Sequence, residues 1–365
     1  MPSEYKGRAY RLTIGGTAYD QDAIADPVYS ASAPNHGMYG IAASSFSCDV
    51  YTGPDLEYTI LQLAPCTEVT FSMLDNMIFV LTDASFRSKG VVSITAYTKF
   101  VNSDITMEAK TFQEYSDLDK NKKNPLTYSC GNVTAAALSD IYGTAGYPSV
   151  IGAEPLLRVS DFKGKSARCV LEEISKVNGG YFFDNNGVPD FAVNGSDSKG
   201  YLSVTADEYS PCSPVQSKSI TRVFVTGVYK NDFYEVGSGG FYNTETLSGE
   251  YLMGETICRA AAAKMFGQYE WWSCADILTD NISPGLHMDI DFSGKVLTAE
   301  RFSVKYTKNH SVMSAGADGF SMAYTDYTDM VQRALEAKLE ADKTYGNSGI
   351  DSSYGIYFVA EDDDE

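Results

Sequence analysis

The stretch Ser166–Val193, SARCVLEEISKVNGGYFFDNNGVPDFAV, carries the clearest local signals in the chain. Its apolar residues recur at the spacing of one helix face: Ala167, Val170, Leu171, Ile174 and Val177. Gly179 ends this helix, because glycine readily adopts the left-handed backbone that closes a last turn. Asn186-Gly187 then favours a tight turn between two short strands. The stretch therefore predicts a helix followed by a β-hairpin, a compact α+β module.

The bulk composition is that of a large globular protein. The chain has 365 residues, of which 44% are hydrophobic, and this length predicts about two to four domains. No apolar run reaches the ~20 residues that a membrane-spanning helix needs, and the polar N-terminus, MPSEYKGRAY, lacks a secretory signal. The seven cysteines form no CxxC pair, so we expect reduced thiols.

The charge of the chain is strongly negative. A formal net charge of −20 argues against tight binding of nucleic acid or anionic membranes, because contacts to phosphate need Lys and Arg. Such acidity serves solubility, and it also suits a surface that nucleic acid must pass without adhering.

Two blocks of β-strands are predicted on either side of the module. FSCDV at 46–50 and RFSVKY at 301–306 are examples of the apolar-polar alternation in the blocks around 7–105 and 206–315. Period-two alternation indicates antiparallel sheets with one buried face, and many short strands favour a barrel or a sandwich. Because the blocks have similar lengths, we expect them to be superimposable β-barrels.

Residues that carry chemistry are sparse. The histidines His36, His287 and His310 share no metal-binding spacing, and we expect each to be solvated. DLDKN at 117–121 begins like a calcium loop, but the required glycine and the final glutamate are missing, which excludes that site. There is no local nucleophile motif, and no metal or cofactor is predicted.

Two further pairs of residues have alternative roles. Asp289 and Asp291 lie on one side of a predicted strand, facing water or a lumen. A glycosidase would need two carboxylates at a defined separation, which the sequence does not reveal. Trp271 and Trp272 are adjacent in a strand and point to opposite faces, so one is expected in the core and the other could meet a partner subunit.

The last region of the chain predicts a helix and an extended tail. Thr325 or Asp326 can cap a helix that runs to about Lys343. Candidates for docking a partner are its apolar residues and those of the tail: Val331, Leu335, Leu339, Tyr354, Ile356 and Phe358. The tail residues alternate like a strand, which could add to the sheet of another chain or to a sheet of this chain.

Several of these motifs, in this order, resemble tail hub proteins of phages and prophages of Gram-positive hosts. They are YKGRAYRLTIGGTAYD at the N-terminus, the module above, ISPGLHMDIDFSGKVLTAERFSVKYTKN at 282–309, and the helix at 326–343 with KTYGN and GIYFV after it. The resemblance implies a mainly β fold with α+β insertions, in which two tail-tube-like β-barrels flank a small α+β module and a C-terminal helix follows. The implied domains are 1–110, 111–205, 206–318 and 319–365.

The resemblance also implies a function. Such a hub is a homotrimer in the virion that joins the tail tube or a distal tail protein above to a spike or tip protein below. The tape measure protein is a further implied partner, and DNA passes through the ring without specific binding. The implied protein is assembled in the host cytoplasm, is not an enzyme, and needs no cofactor and no membrane. A cell-wall hydrolase of the tail tip and a carbohydrate-binding tail module are the alternatives.

Overall fold

The computed structural model describes most of the chain up to residue 318. The described residues are 9–42, 44–53, 57–63, 66–74, 77–107, 112, 126–143, 148–193, 195, 198–229, 232–280 and 282–318. They are mostly β-strand, with helices concentrated between the two β blocks. This distribution confirms the predicted mainly β class with α+β insertions.

The first block is a run of antiparallel strands with one short helix. Its strands are β1 (Arg11–Ile14), β2 (Thr17–Asp20), β3 (Ile24–Ser32), β4 (Gly40–Ile41), β5 (Ser45–Tyr51), β6 (Glu68–Phe71), β7 (Phe79–Ser88) and β8 (Val91–Thr98), with helix α1 (Glu57–Leu61) between β5 and β6. Burial alternates strictly along β8, as expected for a sheet with one face on a core.

The middle module contains the predicted helix and hairpin. Its elements are β9 (Thr127–Tyr128), α2 (Cys130–Tyr142), β10 (Leu157–Arg158), α3 (Val159–Phe162), α4 (Ala167–Asn178), β11 (Gly180–Asn185) and β12 (Val188–Val193). The Ser166 hydroxyl caps α4 by accepting a hydrogen bond from the backbone of Cys169, and Gly179 ends the helix with φ of 64°. Asn186 and Gly187 both have positive φ, as a tight hairpin turn requires.

The second block combines a long strand with several short ones. Its elements are β13 (Gly200–Val204), β14 (Gln216–Ile220), β15 (Arg222–Thr226), β16 (Phe233–Gly237), β17 (Thr244–Ser248), α5 (Glu255–Lys264), β18 (Gly267–Thr279), β19 (Met288–Phe292), β20 (Lys295–Ala299), β21 (Arg301–Tyr306) and β22 (Ser311–Ala317). Strands β13, β19 and β20 form one three-stranded sheet, and β15 to β17 form another.

Strands of both blocks join in one eleven-stranded sheet. Its order is β14-β18-β22-β21-β3-β5-β8-β7-β6-β1-β2. The junction is the antiparallel pairing of β21 with β3, where Ser303 lies opposite Ser30. No sheet among the described residues closes on itself, so the two predicted closed barrels are not confirmed. The reason is that β3 and β21 each hydrogen-bond to the other block instead of closing their own.

The described residues form two large cores. One lies under the eleven-stranded sheet and includes residues of both β blocks; the rings of Tyr29 and Phe302, for example, are 5.1 Å apart across the junction. The other contains the buried faces of α2, α4 and α5 together with β15. The module is attached to the first block because β11 pairs in parallel with β4. Among the described residues, no helix is long and apolar enough to span a membrane.

Candidate functional site

The solvent-facing side of the eleven-stranded sheet is rich in small hydroxyl side chains. We call it the hydroxyl face and define it by Ser30, Ser45, Ser47, Ser93, Thr95, Ser303 and Ser314, all half-buried. The pairing of β22, β21, β3 and β5 aligns four of them in one row across the junction of the blocks: Ser314, Ser303, Ser30 and Ser45. Within this row, the hydroxyls of Ser30 and Ser45 are 2.9 Å apart and hydrogen-bonded.

The cations on the hydroxyl face are paired with aspartates. Lys305 Nζ lies 2.6 Å from Asp26 Oδ1, and Arg301 Nε lies 2.6 Å from Asp318 Oδ1. Arg87 forms an ion pair with Asp49, which also accepts a hydrogen bond from the hydroxyl of Ser93. The hydroxyl face therefore combines small polar groups with charges that are balanced locally.

A second feature is a cluster of polar side chains where the three parts of the chain meet. Glu300, between β20 and β21, bonds through Oε1 to His287 Nδ1 at 2.7 Å, and its Oε2 accepts a hydrogen bond from the hydroxyl of Tyr181 on β11. Its backbone carbonyl accepts a hydrogen bond of 2.7 Å from Ala33 N, at the end of β3. Glu300 thus connects the first block, the module and the second block.

The prediction that His287 is solvated is wrong. Its residue exposure is 7%, and its backbone is left-handed with φ of 57°. Burial, followed by the negative charge of Glu300, raises the pKa of Tyr181 well above its ordinary value. The cluster borders a cleft of about 240 Å³ that is also lined by His36, Trp272 and other residues.

The chemistry of this cluster favours attachment over catalysis. Both carboxylate oxygens of Glu300 are engaged, and a tyrosine whose pKa is raised stays protonated and so does not supply a base. No group of three or more His, Cys, Asp and Glu among the described residues is arranged to hold a metal ion. We therefore interpret Tyr181, Glu300 and His287 as a fastening that holds the module against the second block.

The hairpin register contained a signal for this cluster. Strands β19 and β20 pair around Ser293-Gly294, with Phe292 opposite Lys295 and Met288 opposite Ala299. Continuing this register by one residue places His287 opposite Glu300. The contact to Tyr181 depends on packing of the module and had no signal in the sequence.

The other candidate residues have mixed outcomes. Trp272 is in the core with 3% exposure, whereas Trp271, on the opposite face of β18, is half-buried, so their predicted separation is confirmed. Asp289 and Asp291 are on one side of β19, where Asp291 accepts a hydrogen bond from the hydroxyl of Tyr201 at 2.8 Å. The calcium-like stretch 117–121 lies outside the described residues, as do all six predicted docking residues: Val331, Leu335, Leu339, Tyr354, Ile356 and Phe358.

Comparison with solved structures places this fold among tail proteins. A 43 kDa tail protein of prophage MuSo2 from Shewanella oneidensis matches 85% of this chain and 96% of its own, with a TM-score of 0.53 and 9% identity. A tail protein from Neisseria meningitidis MC58 matches 88% of this chain and 99% of its own, with a TM-score of 0.51 and 10% identity. The chain has a phage tail protein fold.

This similarity is found by comparison of structures. The sequence matches no family model and no curated protein. Because identity with the two tail proteins is only 9% and 10%, the comparison establishes the phage tail fold but not the role of this chain. That role has to be inferred from the surfaces of the chain itself.

Proposed function

We propose that this chain is a structural tail component, a hub that joins the tail tube to the tip or spike and forms part of a DNA channel. The observation that carries this proposal is the continuous sheet across both β blocks, with the hydroxyl face on its solvent side. Small hydroxyl groups can form hydrogen bonds with DNA, but they carry no positive charge that would attract its phosphates. The phage tail fold supports the same role.

The sheet is suited to forming a ring. Its terminal strands, β2 and β14, are positions where a further strand can be added. Head-to-tail pairing between copies closes into a ring when the rotation between them closes. In this proposal three copies form a homotrimer, and domains 1–110 and 206–318 supply six β blocks that match a six-fold tail tube. Domains 111–205 and 319–365 flank this ring.

The charges of the chain suit a channel through which DNA passes. Nucleic acid is retained by Lys and Arg that neutralise phosphates. On the hydroxyl face, Arg87, Arg301 and Lys305 are each paired with an aspartate. The net charge of −20 further opposes adhesion of DNA.

The partners of the hub follow from this position in the particle. A tail tube or distal tail protein lies above it, a spike or tip protein lies below it, and the tape measure protein contacts it during assembly. The protein is made and assembled in the host cytoplasm and resides in the virion. It acts through binding surfaces and uses neither catalysis nor a cofactor.

The C-terminal region is part of the same proposal. Residues 326–343 pack as an amphipathic helix on their own barrel or on a neighbouring subunit, through Val331, Leu335 and Leu339. The tail with Tyr354, Ile356 and Phe358 adds as a strand to the spike or tip protein.

A pair of serine variants tests the channel. Ser303→Arg places an unpaired cation in the central row of the hydroxyl face, whereas Ser203→Arg places one on exposed β13. In a low-salt mobility-shift assay, we expect neither the wild type nor Ser203→Arg to bind double-stranded DNA. Ser303→Arg is expected to retain DNA, with an affinity that falls as salt rises.

Retention by the wild type, or equal retention by both variants, would contradict the channel. Sedimentation of the same full-length samples checks their assembly. A trimer supports the ring, and a monomer at all concentrations would argue against it. Digestion of cell-wall substrate by the wild type would favour the hydrolase alternative, and glycan binding the carbohydrate-binding one.

A further inference from the structure

Two cysteines meet at the edge of the eleven-stranded sheet. The segment 208–213, just before β14, runs antiparallel to the second half of β18. Ser213 N donates a hydrogen bond of 2.8 Å to Ser273 O, and Tyr209 pairs with Ile277. Counting along both strands from either pair leads to the other, so the two pairs share one antiparallel register. This register places Cys212 directly opposite Cys274.

The distance between opposite residues suits a disulfide. Opposite Cα atoms of antiparallel strands are about 4.5–5.5 Å apart, within the range of about 4.4–6.8 Å that a disulfide spans. Both side chains also point to the same core, in which Cys274 is 2% exposed and Cys212 packs against it while half-buried. Cys274 Sγ donates a hydrogen bond of 3.3 Å to the backbone carbonyl of Ser210, two residues before Cys212, and burial together with the neighbouring Cys212 raises the pKa of Cys274 to about 12.

The segment that carries Cys212 is joined to β18 by hydrogen bonds on both sides of the cysteine, from Ser210 N to Asp276 O at 2.9 Å and from Ser213 N to Ser273 O at 2.8 Å. Pro211 and Pro214 flank the cysteine, and proline has no N–H to donate to the neighbouring strand. A covalent link between Cys212 and Cys274 would add to the hydrogen bonds on either side of the cysteine.

We propose that Cys212 and Cys274 are a reversible dithiol pair that closes into a cross-strand disulfide when the protein meets a small-molecule disulfide. Each cysteine is reduced in a reducing compartment, and the closed form staples the segment 208–213 to β18. This inference goes beyond the proposed function and does not depend on it.

The reaction proceeds by two thiol–disulfide exchanges. The half-buried Cys212 loses its proton to solvent, and its thiolate attacks one sulfur of the oxidant. The oxidant's S–S bond breaks, one small thiolate leaves, and a mixed disulfide remains on Cys212. Cys274 then loses its proton, attacks Cys212 Sγ and expels the second small thiolate. In total, two protein thiols are oxidised and one small disulfide is reduced to two thiols.

The test uses the full-length protein and oxidised glutathione as the probe. After incubation, the protein is denatured, free thiols are alkylated, and disulfide-linked peptides are mapped by mass spectrometry. We expect two of the seven thiols to be lost and the linked peptides to contain Cys212 and Cys274. The step from mixed to internal disulfide should accelerate as pH rises, because Cys274 must first lose its proton.

Two variants serve as controls. Cys66→Ser removes an exposed thiol elsewhere and should leave the link unchanged, whereas Cys212→Ser should abolish it. The oxidised wild type should unfold at a higher temperature than the reduced form, a shift that Cys212→Ser should lack. Full alkylation of both cysteines, glutathione left on Cys212, or a link from Cys212 to another cysteine would each overturn the proposal. Mapping of the linked peptides in the wild type tests the proposal even if a variant does not fold.

Discussion

Glu300 is the residue that best shows how single side chains hold this molecule together. One carboxylate bonds to the second block through His287 and to the module through Tyr181. A half-buried carboxylate needs such donors, because removal from water without hydrogen bonds is unfavourable. Replacing any member should therefore loosen the contact between module and block before it affects the strands themselves.

Tyr181→Phe tests this fastening. The variant removes the hydroxyl that donates to Glu300 in a fully buried site, and we expect a loss of about 1–3 kcal/mol in the free energy of unfolding. Tyr201→Phe is the matched control, since its hydroxyl also donates to a carboxylate but the ring is 62% exposed. Urea denaturation should show a clearly smaller loss for Tyr201→Phe. Equal losses for the two variants would mean that burial of the hydrogen bond between Tyr181 and Glu300 adds nothing to the free energy of unfolding.

Asp184 gives the module a dependence on pH. Burial raises its pKa, although hydrogen bonds from the Tyr142 hydroxyl and from Gly187 N partly oppose this rise. The folded state therefore holds a proton that the unfolded chain has already lost above its ordinary pKa of 3.8. Stability from this group is present at lower pH and is lost as pH rises from about 3.8 through the raised pKa.

Asp184→Asn should remove that decline. We expect the difference in urea midpoint between wild type and Asp184→Asn to shift in favour of the variant as pH increases from about 4 to about 7. A difference that stays constant over this range would show that Asp184 does not titrate as its burial requires.

At the scale of elements, the features that could be predicted from the sequence are those that depend on interactions between neighbouring residues in the chain. Helix α4 and its hairpin were predictable because Ser166, Gly179 and Asn186-Gly187 act on their immediate neighbours. Helix α2 has two residues near its start that can cap a helix, Ser129 and Asn132, and it is the Ser129 hydroxyl that accepts a hydrogen bond from the backbone of Asn132. Both side chains are good caps, and their position relative to the first turn decided between them.

The pairing of β3 with β21 had no such local signal. The two strands lie far apart in the sequence, and each shows only the alternation that any edge or central strand shows. For the same reason the hydroxyl face was not predictable as a surface, although its strands were. Alternation identified which residues share a face of one strand, and only the strand order brought those faces together.

A pair of glycines tests the packing of α4 against α5. Both Gly179 and Gly164 have positive φ, so alanine at either position should incur about 1–2 kcal/mol of backbone strain. A Cβ at Gly179 would also collide with Cβ of Lys264 on α5, whereas the space around Gly164 is open. We expect Gly179→Ala to cost about 1–3 kcal/mol more than Gly164→Ala in urea unfolding. Equal costs would mean that the two helices separate freely.

At the scale of the whole molecule, the proposed hub has two separable functions. The described residues supply the sheet, its hydroxyl face and the fastening, which are proposed to form the ring. The region 319–365 lies outside them and is proposed to contact the partner below. These functions can be tested independently by shortening the tail and leaving the strands of the sheet intact.

Deletion of residues 346–365 tests the adaptor role. We expect trimers to form normally, because the strands of the sheet all lie before residue 318. Particles assembled with this variant should lack the spike or tip protein when their composition is measured by mass spectrometry. Normal spike content in such particles would refute the adaptor role and leave the ring untouched.

The symmetry of the assembled protein decides whether the hub proposal is right. Electron microscopy of the full-length protein, in particles or as isolated rings, shows both the number of copies and the surface that faces the centre. We predict a three-fold ring whose lumen is lined by Ser30, Ser45, Ser303 and Ser314. A different symmetry, or a three-fold ring in which this row lies on the outer surface or against another protein, would contradict it.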